Sequence, residues 1–444
     1  EIADGDWSSD VCSSDLLKKD IEENPDNPRP HHFLGASYLS EKMYPQALQE
    51  AEKALLLYET RNDRCHNYLW STYIASFCCL EMGWVEKAER LTRKGMEVDS
   101  NHLDSHYVLA VVGFKRGDRV LLDRHMAHYA RIRDRIKEDP GSFGEMVHNT
   151  FASQWLLHFF RGILLINAGE GEKGNGEFEK SKDLCPDPTL FHSKMGDYCV
   201  QKEQYTRAEA HYRTVLKDRP NDIHSRWVLS YICGRRGDQA GKMAWIEEVL
   251  EIDPEFVGAH FELGLAAMTL GDYAKALRLF RHTQVLTPAN QVAKINEALC
   301  LRAMGRYDES IRLSEGIEAG DSEQHRALTA NRALCLYERG DYPTCVKSFE
   351  EMAADDPKAL LPPVYLSKLY LQNRDVDRGL AQCDKLLSLL GLDRNRTLDR
   401  LVELGGVYVE AGNRLTELRD SGLARICFEI GAMLGYQGKE QIVV

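Results

Sequence analysis

A chain of 444 residues is too long for one compact core, so it holds several domains or one extended array. Hydrophobic residues make up 43% and charged residues 28%, the balance of a folded chain, and no apolar run approaches the length of a membrane-spanning helix. A net charge of −13 works against non-specific binding to nucleic acid or anionic lipid, and twelve scattered cysteines without a Cys-x-x-Cys read as free thiols of a reducing compartment.

In chain order, residues 1–16 come first, and "GDWSSDVCSSDL" within them shows neither helical nor strand periodicity. They read as a non-native or disordered segment ahead of a lead-in helix over 17–27. Residues 28–136 carry three helix-pair units beginning near 28, 69 and 103. Residues 137–154, "KEDPGSFGEMVHNTFASQ", are an insertion. Residues 155–394 carry units four to ten, beginning near 155, 189, 223, 257, 291, 326 and 360, with successive spacings of 34, 34, 34, 34, 35 and 34 residues. A last unit near 398 belongs to irregular C-terminal capping helices over 395–444.

The unit has a physical logic. With 257–290 set above 191–222, Gly264 falls over Gly196, Tyr273 over Tyr205, Ala276 over Ala208, Phe280 over Tyr212 and Pro288 over Pro220. Apolar residues recur at helical spacing in each half, and the halves meet at a glycine-bearing turn (Gly271, Gly305, Gly340). A small residue in the first helix (Gly35, Gly196, Gly264, Ala298, Ala333) and one in the second (Ala47, Ala88, Ala208, Ala276) allow close approach. A terminal proline (Pro186, Pro220, Pro254, Pro288, Pro357) stops the second helix. Two short amphipathic helices cannot bury their faces alone, so neighbours stack.

This unit resembles the tetratricopeptide repeat over about residues 28–390. The resemblance implies an all-α fold, a right-handed superhelical solenoid of about eleven antiparallel helix pairs. The large aromatic expected fourth in each unit is mostly absent, and histidine stands there at His31, His106, His192 and His260. The first quarter of the chain, "LKKDIEENPDNPRPHHFLGASYLSEKMYPQALQEAEKAL" with "YLWSTYIASFCCLEMGWVEKAERL", also resembles the repeat arm that follows the catalytic domain of bacterial family-2 glycosyltransferases. That likeness implies an arm positioning an acceptor, with the catalytic half missing. Residues 6–16 resemble a translated sequencing adaptor, which implies that the true N-terminus, with any targeting signal, was lost.

Candidate chemistry is sparse. Gly169, Gly171 and Gly174 satisfy the dinucleotide-loop spacing but fall at an inter-helix turn with no strand before it, so they read as a loose turn. His102, His106, His125 and His128 would meet if the helices pair about Gly117, yet His106 shares its column with histidines that lack such companions and reads as a packing residue. The "DVD" at 375–377 reads as solvated turn aspartates. No nucleophile elbow, phosphate loop or zinc-protease helix is present, so the residues in view imply no catalysis, cofactor or metal.

The positive feature is Asn296 and Asn331, each sixth in its unit on the first helix, the helix that lines the concave groove in repeats of this kind. Paired amides complement an extended peptide backbone. Arg302, Arg326, Tyr365 and Lys368 add a locally basic lining, with Arg326 at the groove edge because it opens its unit. Ile295 and Leu299 stand where the family's full carboxylate clamp would place Lys and Asn. The expected function is a cytoplasmic, bacterial, non-catalytic scaffold holding a protein or peptide, in particular an acidic or C-terminal segment, with no nucleic acid and no membrane span.

Overall fold

Each terminal proline of the repeat ends a helix two residues before it. The helices that precede Pro186, Pro220, Pro254, Pro288 and Pro357 stop at Leu184, Asp218, Ile252, Leu286 and Asp355. A proline ring clashes with the preceding turn, so the helix closes before reaching it. The computed structural model describes residues 11–139, 148–318, 320–392 and 401–436, and every regular element among them is an α-helix.

The chain divides between Pro220 and Asn221 into two compact units. In the first, α1 (Val11–Glu23) precedes five antiparallel pairs: α2 (Pro28–Ser40) with α3 (Tyr44–Thr60), α4 (His66–Glu81) with α5 (Val85–Val98), α6 (Leu103–Arg116) with α7 (Arg119–Glu138), α8 (Gln154–Asn167) with α9 (Gly171–Leu184), and α10 (Pro188–Gln201) with α11 (Tyr205–Asp218). The second holds six: α12 (Ile223–Arg235) with α13 (Gln239–Ile252), α14 (Val257–Thr269) with α15 (Tyr273–Leu286), α16 (Gln291–Ala303) with α17 (Tyr307–Glu315), α18 (Ser322–Arg339) with α19 (Tyr342–Asp355), α20 (Leu361–Gln372) with α21 (Val376–Leu390), and α22 (Leu401–Glu417) with α23 (Ser421–Met433). Among the described residues the chain is thus all-α, with five antiparallel helix pairs in the first unit and six in the second, the eleven that the period implies.

Every pair turns through one left-handed residue. Seven turns use glycine, Gly83, Gly117, Gly169, Gly237, Gly271, Gly305 and Gly340, while Lys42, Glu203, Arg374 and Arg419 adopt the same positive φ without being glycine. The next residue is then the N-cap of the second helix. Asp118, Asp238, Asp272, Asp341, Asp375 and Asp420 each accept a backbone N–H of the first turn through the side chain.

Within a pair, the two helices cross where both residues are small, twelve positions apart in sequence. A Cβ on Gly35 would meet the Ala47 carbonyl at 3.3 Å. The same crossing in other pairs is tied by side chains: Ser310 Oγ donates to Ala298 O at 2.7 Å, and Ser367 Oγ donates to Gly379 O at 2.9 Å. The first unit buries one continuous core from Ala47 to Leu157, and the last three pairs of the second unit bury another around Phe349, Leu386, Tyr408 and Ile430.

Two boundaries differ from the sequence reading. Helix α1 starts at Val11, six residues before Leu17, with Asp15 and Lys18 paired one turn apart at 3.4 Å. Residues 6–10 of the adaptor-like segment lie outside the described residues, as do 140–147 of the insertion and 395–400 and 437–444 of the C-terminal segment. The other difference is α17, which stops after nine residues at Glu315, with α18 starting four residues before Arg326.

Candidate interaction site

The sequence-predicted residues all fall in the second unit, on α16, α18 and α20, but they do not form one lining. Asn296 is half-buried on α16 and donates its amide Nδ2 to the Val292 carbonyl at 2.8 Å. Asn331 is 2% exposed. Its Nδ2 donates to Ser310 Oγ at 2.8 Å and to Ser314 Oγ at 3.2 Å, and its Oδ1 is buried without a partner. The expectation of two amides presented one repeat apart is therefore corrected. Ser310 and Ser314, small and one turn apart on α17, leave a space that the Asn331 side chain fills.

Tyr365 is also part of the core. Its ring lies 5.2 Å from Phe349, nearly parallel, and 4.9 Å from Tyr337 edge-on. Arg326 is exposed in the second turn of α18 rather than opening it, because α18 begins at Ser322. Lys368 is 12% exposed in its side chain and pairs with Glu429 of α23 at 2.7 Å, with Nζ 5.5 Å from the centre of the Tyr337 ring. Burial works against its ammonium, but Glu429 and Tyr337 outweigh burial and hold its pKa above the usual lysine value.

Arg302 differs from these. It is half-buried at the end of α16, its guanidinium makes no hydrogen bond or ion pair to any described residue, and its Nε is fully buried without a partner. Burial, then Tyr337 and Glu338, raise the Tyr365 hydroxyl pKa, while the charges of Arg302 and Lys368 act in the opposite sense. Tyr365 is thus acted on by the charges of two cations, one paired and one not. A buried guanidinium hydrogen without an acceptor is costly unless something accepts from it.

Glu177 accepts from His158 at 2.7 Å, Arg161 at 3.1 Å and Lys180 at 2.8 Å, and Arg161 also donates to Asp123 at 2.8 Å. Asp104, fully buried at the start of α6, accepts four hydrogen bonds: Thr150 N and Oγ1 at 2.9 and 2.6 Å, and Asn149 N and Nδ2 at 3.1 Å each. This carboxylate fixes the end of the insertion to the repeat.

The histidine column is a packing device with a partner that the sequence reading missed. His31, His106, His158 and His192 each meet a polar side chain nineteen residues on, namely Glu50, His125, Glu177 and His211, at 2.6, 3.0, 2.7 and 2.9 Å. The signal was in the spacing, because the same offset recurs in four units. His106 also stacks on His128 at 4.9 Å, and His102 Nδ1 lies 2.8 Å from Ser105 Oγ. Among the described residues no group of three or more His, Cys, Asp or Glu is placed to hold a metal ion. The glycine triplet likewise serves the crossing of α8 and α9: a Cβ on Gly174 would meet the Gly162 carbonyl at 2.9 Å.

A tetratricopeptide-repeat family model matches residues 246–291, the end of α13 through α14 and α15. Over these residues the chain is a tetratricopeptide repeat. Human superkiller complex protein 3 is 21% identical over 232 residues, 51% of this chain and 14% of that protein. Soybean Hsp70-Hsp90 organizing protein 1 is 24% identical over 127 residues, 29% of this chain and 22% of that protein. The matched repeats thus span less than a quarter of either relative. The crystal structure of a tetratricopeptide repeat protein from Parabacteroides merdae superposes with a TM-score of 0.41 at 15% identity, covering 56% of this chain and 94% of that one. Among the described residues no helix of this repeat protein is long and apolar enough to cross a membrane. The cysteines seen are free thiols, nine of the eleven buried. Burial pushes Cys78 up to about 12 and Cys79 to about 11, so neither thiol is primed as a nucleophile.

Proposed function

We propose that the protein is a non-catalytic interaction scaffold, and that the first helices of its second unit bind an acidic segment of a protein partner. One observation carries the acidic specificity: Arg302 is a half-buried guanidinium with a fully buried, unpartnered Nε. A carboxylate is the acceptor that matches such a donor. The protein-partner class draws support from the relatives, whose names denote a complex component and an organizer of Hsp70 and Hsp90. Stacked repeats also offer extended faces of the kind that bind peptides.

Fluorescence anisotropy with a labelled oligoglutamate peptide bearing a free C-terminal carboxylate tests this. Binding should be saturable at low salt, and Arg302→Ala should weaken it about tenfold, the loss of one charge-assisted hydrogen-bond pair. Equal affinity of the wild type and Arg302→Ala would remove the site from the acidic reading.

A further inference from the structure

Helix α23, the second helix of the last pair, packs against α20. From there Glu429 reaches Lys368, its carboxylate 2.7 Å from Nζ while Nζ lies over the Tyr337 ring. The two ends of this contact are unlike. The Lys368 side chain is 12% exposed, whereas that of Glu429 is 44% exposed and, among the described residues, is otherwise paired only with Arg425 one turn earlier at 3.6 Å. A carboxylate that stays partly in water gains less from an ion pair than a buried one, so it exchanges more readily with another carboxylate.

The position is the informative part. Tyr337 and Tyr365 are in edge-on contact, with Lys368 over one ring and the charges of Lys368 and Arg302 both acting on the other. One cation of the pair thus already holds a carboxylate from the chain's own C-terminal hairpin, and the other holds none. We propose that Glu429 is a built-in occupant of the acidic-ligand site: helix α23 presents on Lys368 a carboxylate that an acidic partner side chain displaces, so the C-terminal hairpin sets the affinity of the site. This inference rests on the acidic-site reading of Arg302 given above.

The test uses the full chain and the same labelled oligoglutamate peptide. Glu429→Gln removes the competing charge with little change of shape and should raise affinity three- to tenfold. Lys368→Ala should lower affinity, and combining it with Glu429→Gln should abolish the gain, because no freed ammonium remains. Circular dichroism melting of each variant separates altered binding from altered folding. If Glu429→Gln binds no better than wild type while Arg302→Ala still binds worse, the displacement idea is wrong and the acidic site stands. If no variant and no wild type binds the peptide, the acidic site itself fails and this proposal with it.

Discussion

His106 Nδ1 lies 3.0 Å from His125 Nδ1, and His106 Nε2 lies 3.0 Å from the Ser100 carbonyl. A carbonyl only accepts, so Nε2 carries the His106 proton, its Nδ1 accepts, and His125 donates from Nδ1. Two neutral rings satisfy this; two charged rings cannot, since neither nitrogen would then accept. The same Nδ1–Nδ1 contact recurs between His192 and His211 at 2.9 Å.

Stability should therefore fall in mild acid. Burial, then the charge of His106, lowers His125 to about 4, and burial, then His192, lowers His211 to about 4. A histidine held below its unfolded value near 6.5 takes up its proton first in the unfolded chain. Its contribution is complete above about pH 6.5 and is lost as pH falls toward about 4. At His125, the more buried of the two, the effect is on the order of 2 kcal/mol, with less from His211. Urea unfolding between pH 7.5 and 4.5 should show the loss, and His125→Leu with His211→Leu should flatten it. An unchanged slope in the double variant would assign the acid sensitivity elsewhere.

Asp104 predicts a local effect. Asp104→Asn keeps the shape but turns an NH2 toward two of the four donors from Asn149 and Thr150. The mismatch should cost roughly 2–3 kcal/mol, the usual penalty for buried donors without an acceptor. Proteolysis within 137–154 should accelerate more than global unfolding does. Equal protection in wild type and variant would show that other contacts anchor this segment, among them those of Tyr129 with Thr150 and of Arg133 with Phe151.

Helix boundaries were legible because they rest on local chemistry. Pro220 and Pro254 stop helices wherever they stand, and Gly271 and Gly305 turn left-handed at no steric cost. The site was far less legible. Whether Asn331 faces a groove or a neighbour depends on Ser310 and Ser314 being small, a property of another helix. Lys368 looked like a free cation because its partner, Glu429, lies 61 residues away on a helix with no fixed repeat register. His158 escaped notice although it stands fourth in its unit like His31, and Glu50 and Glu177 share one column that the period alone identifies.

The left-handed turns supply a graded test. Glu203 takes φ +56 where seven other pairs use glycine. Glu203→Gly removes the Cβ clash but adds unfolded-state entropy, for a net gain of roughly 0.5 kcal/mol. Gly264→Ala acts the other way. Its Cβ would lie 2.7 Å from the fully buried Phe280 ring, so overpacking should cost about 1–3 kcal/mol. Melting temperatures moving in the same direction for both variants would contradict the shared geometry.

Asn331 separates packing from binding most directly. Ser310 Oγ and Ser314 Oγ already donate to the carbonyls of Ala298 and Ser310, so losing the Asn331 amide costs them only an accepted hydrogen bond each. Against this, an apolar side chain removes the buried Oδ1 that has no donor. Two neutral hydrogen bonds contribute about 1 kcal/mol each and an orphaned buried acceptor costs about 1–3 kcal/mol, so Asn331→Leu should lie within about 1 kcal/mol of wild type. Asn331→Ala, which leaves a cavity as well, should lose about 2 kcal/mol. Oligoglutamate affinity should be unchanged in Asn331→Leu at a temperature where it is folded. A tenfold drop there, with the melting curve intact, would return Asn331 to the binding surface and overturn its burial as the reason for its type.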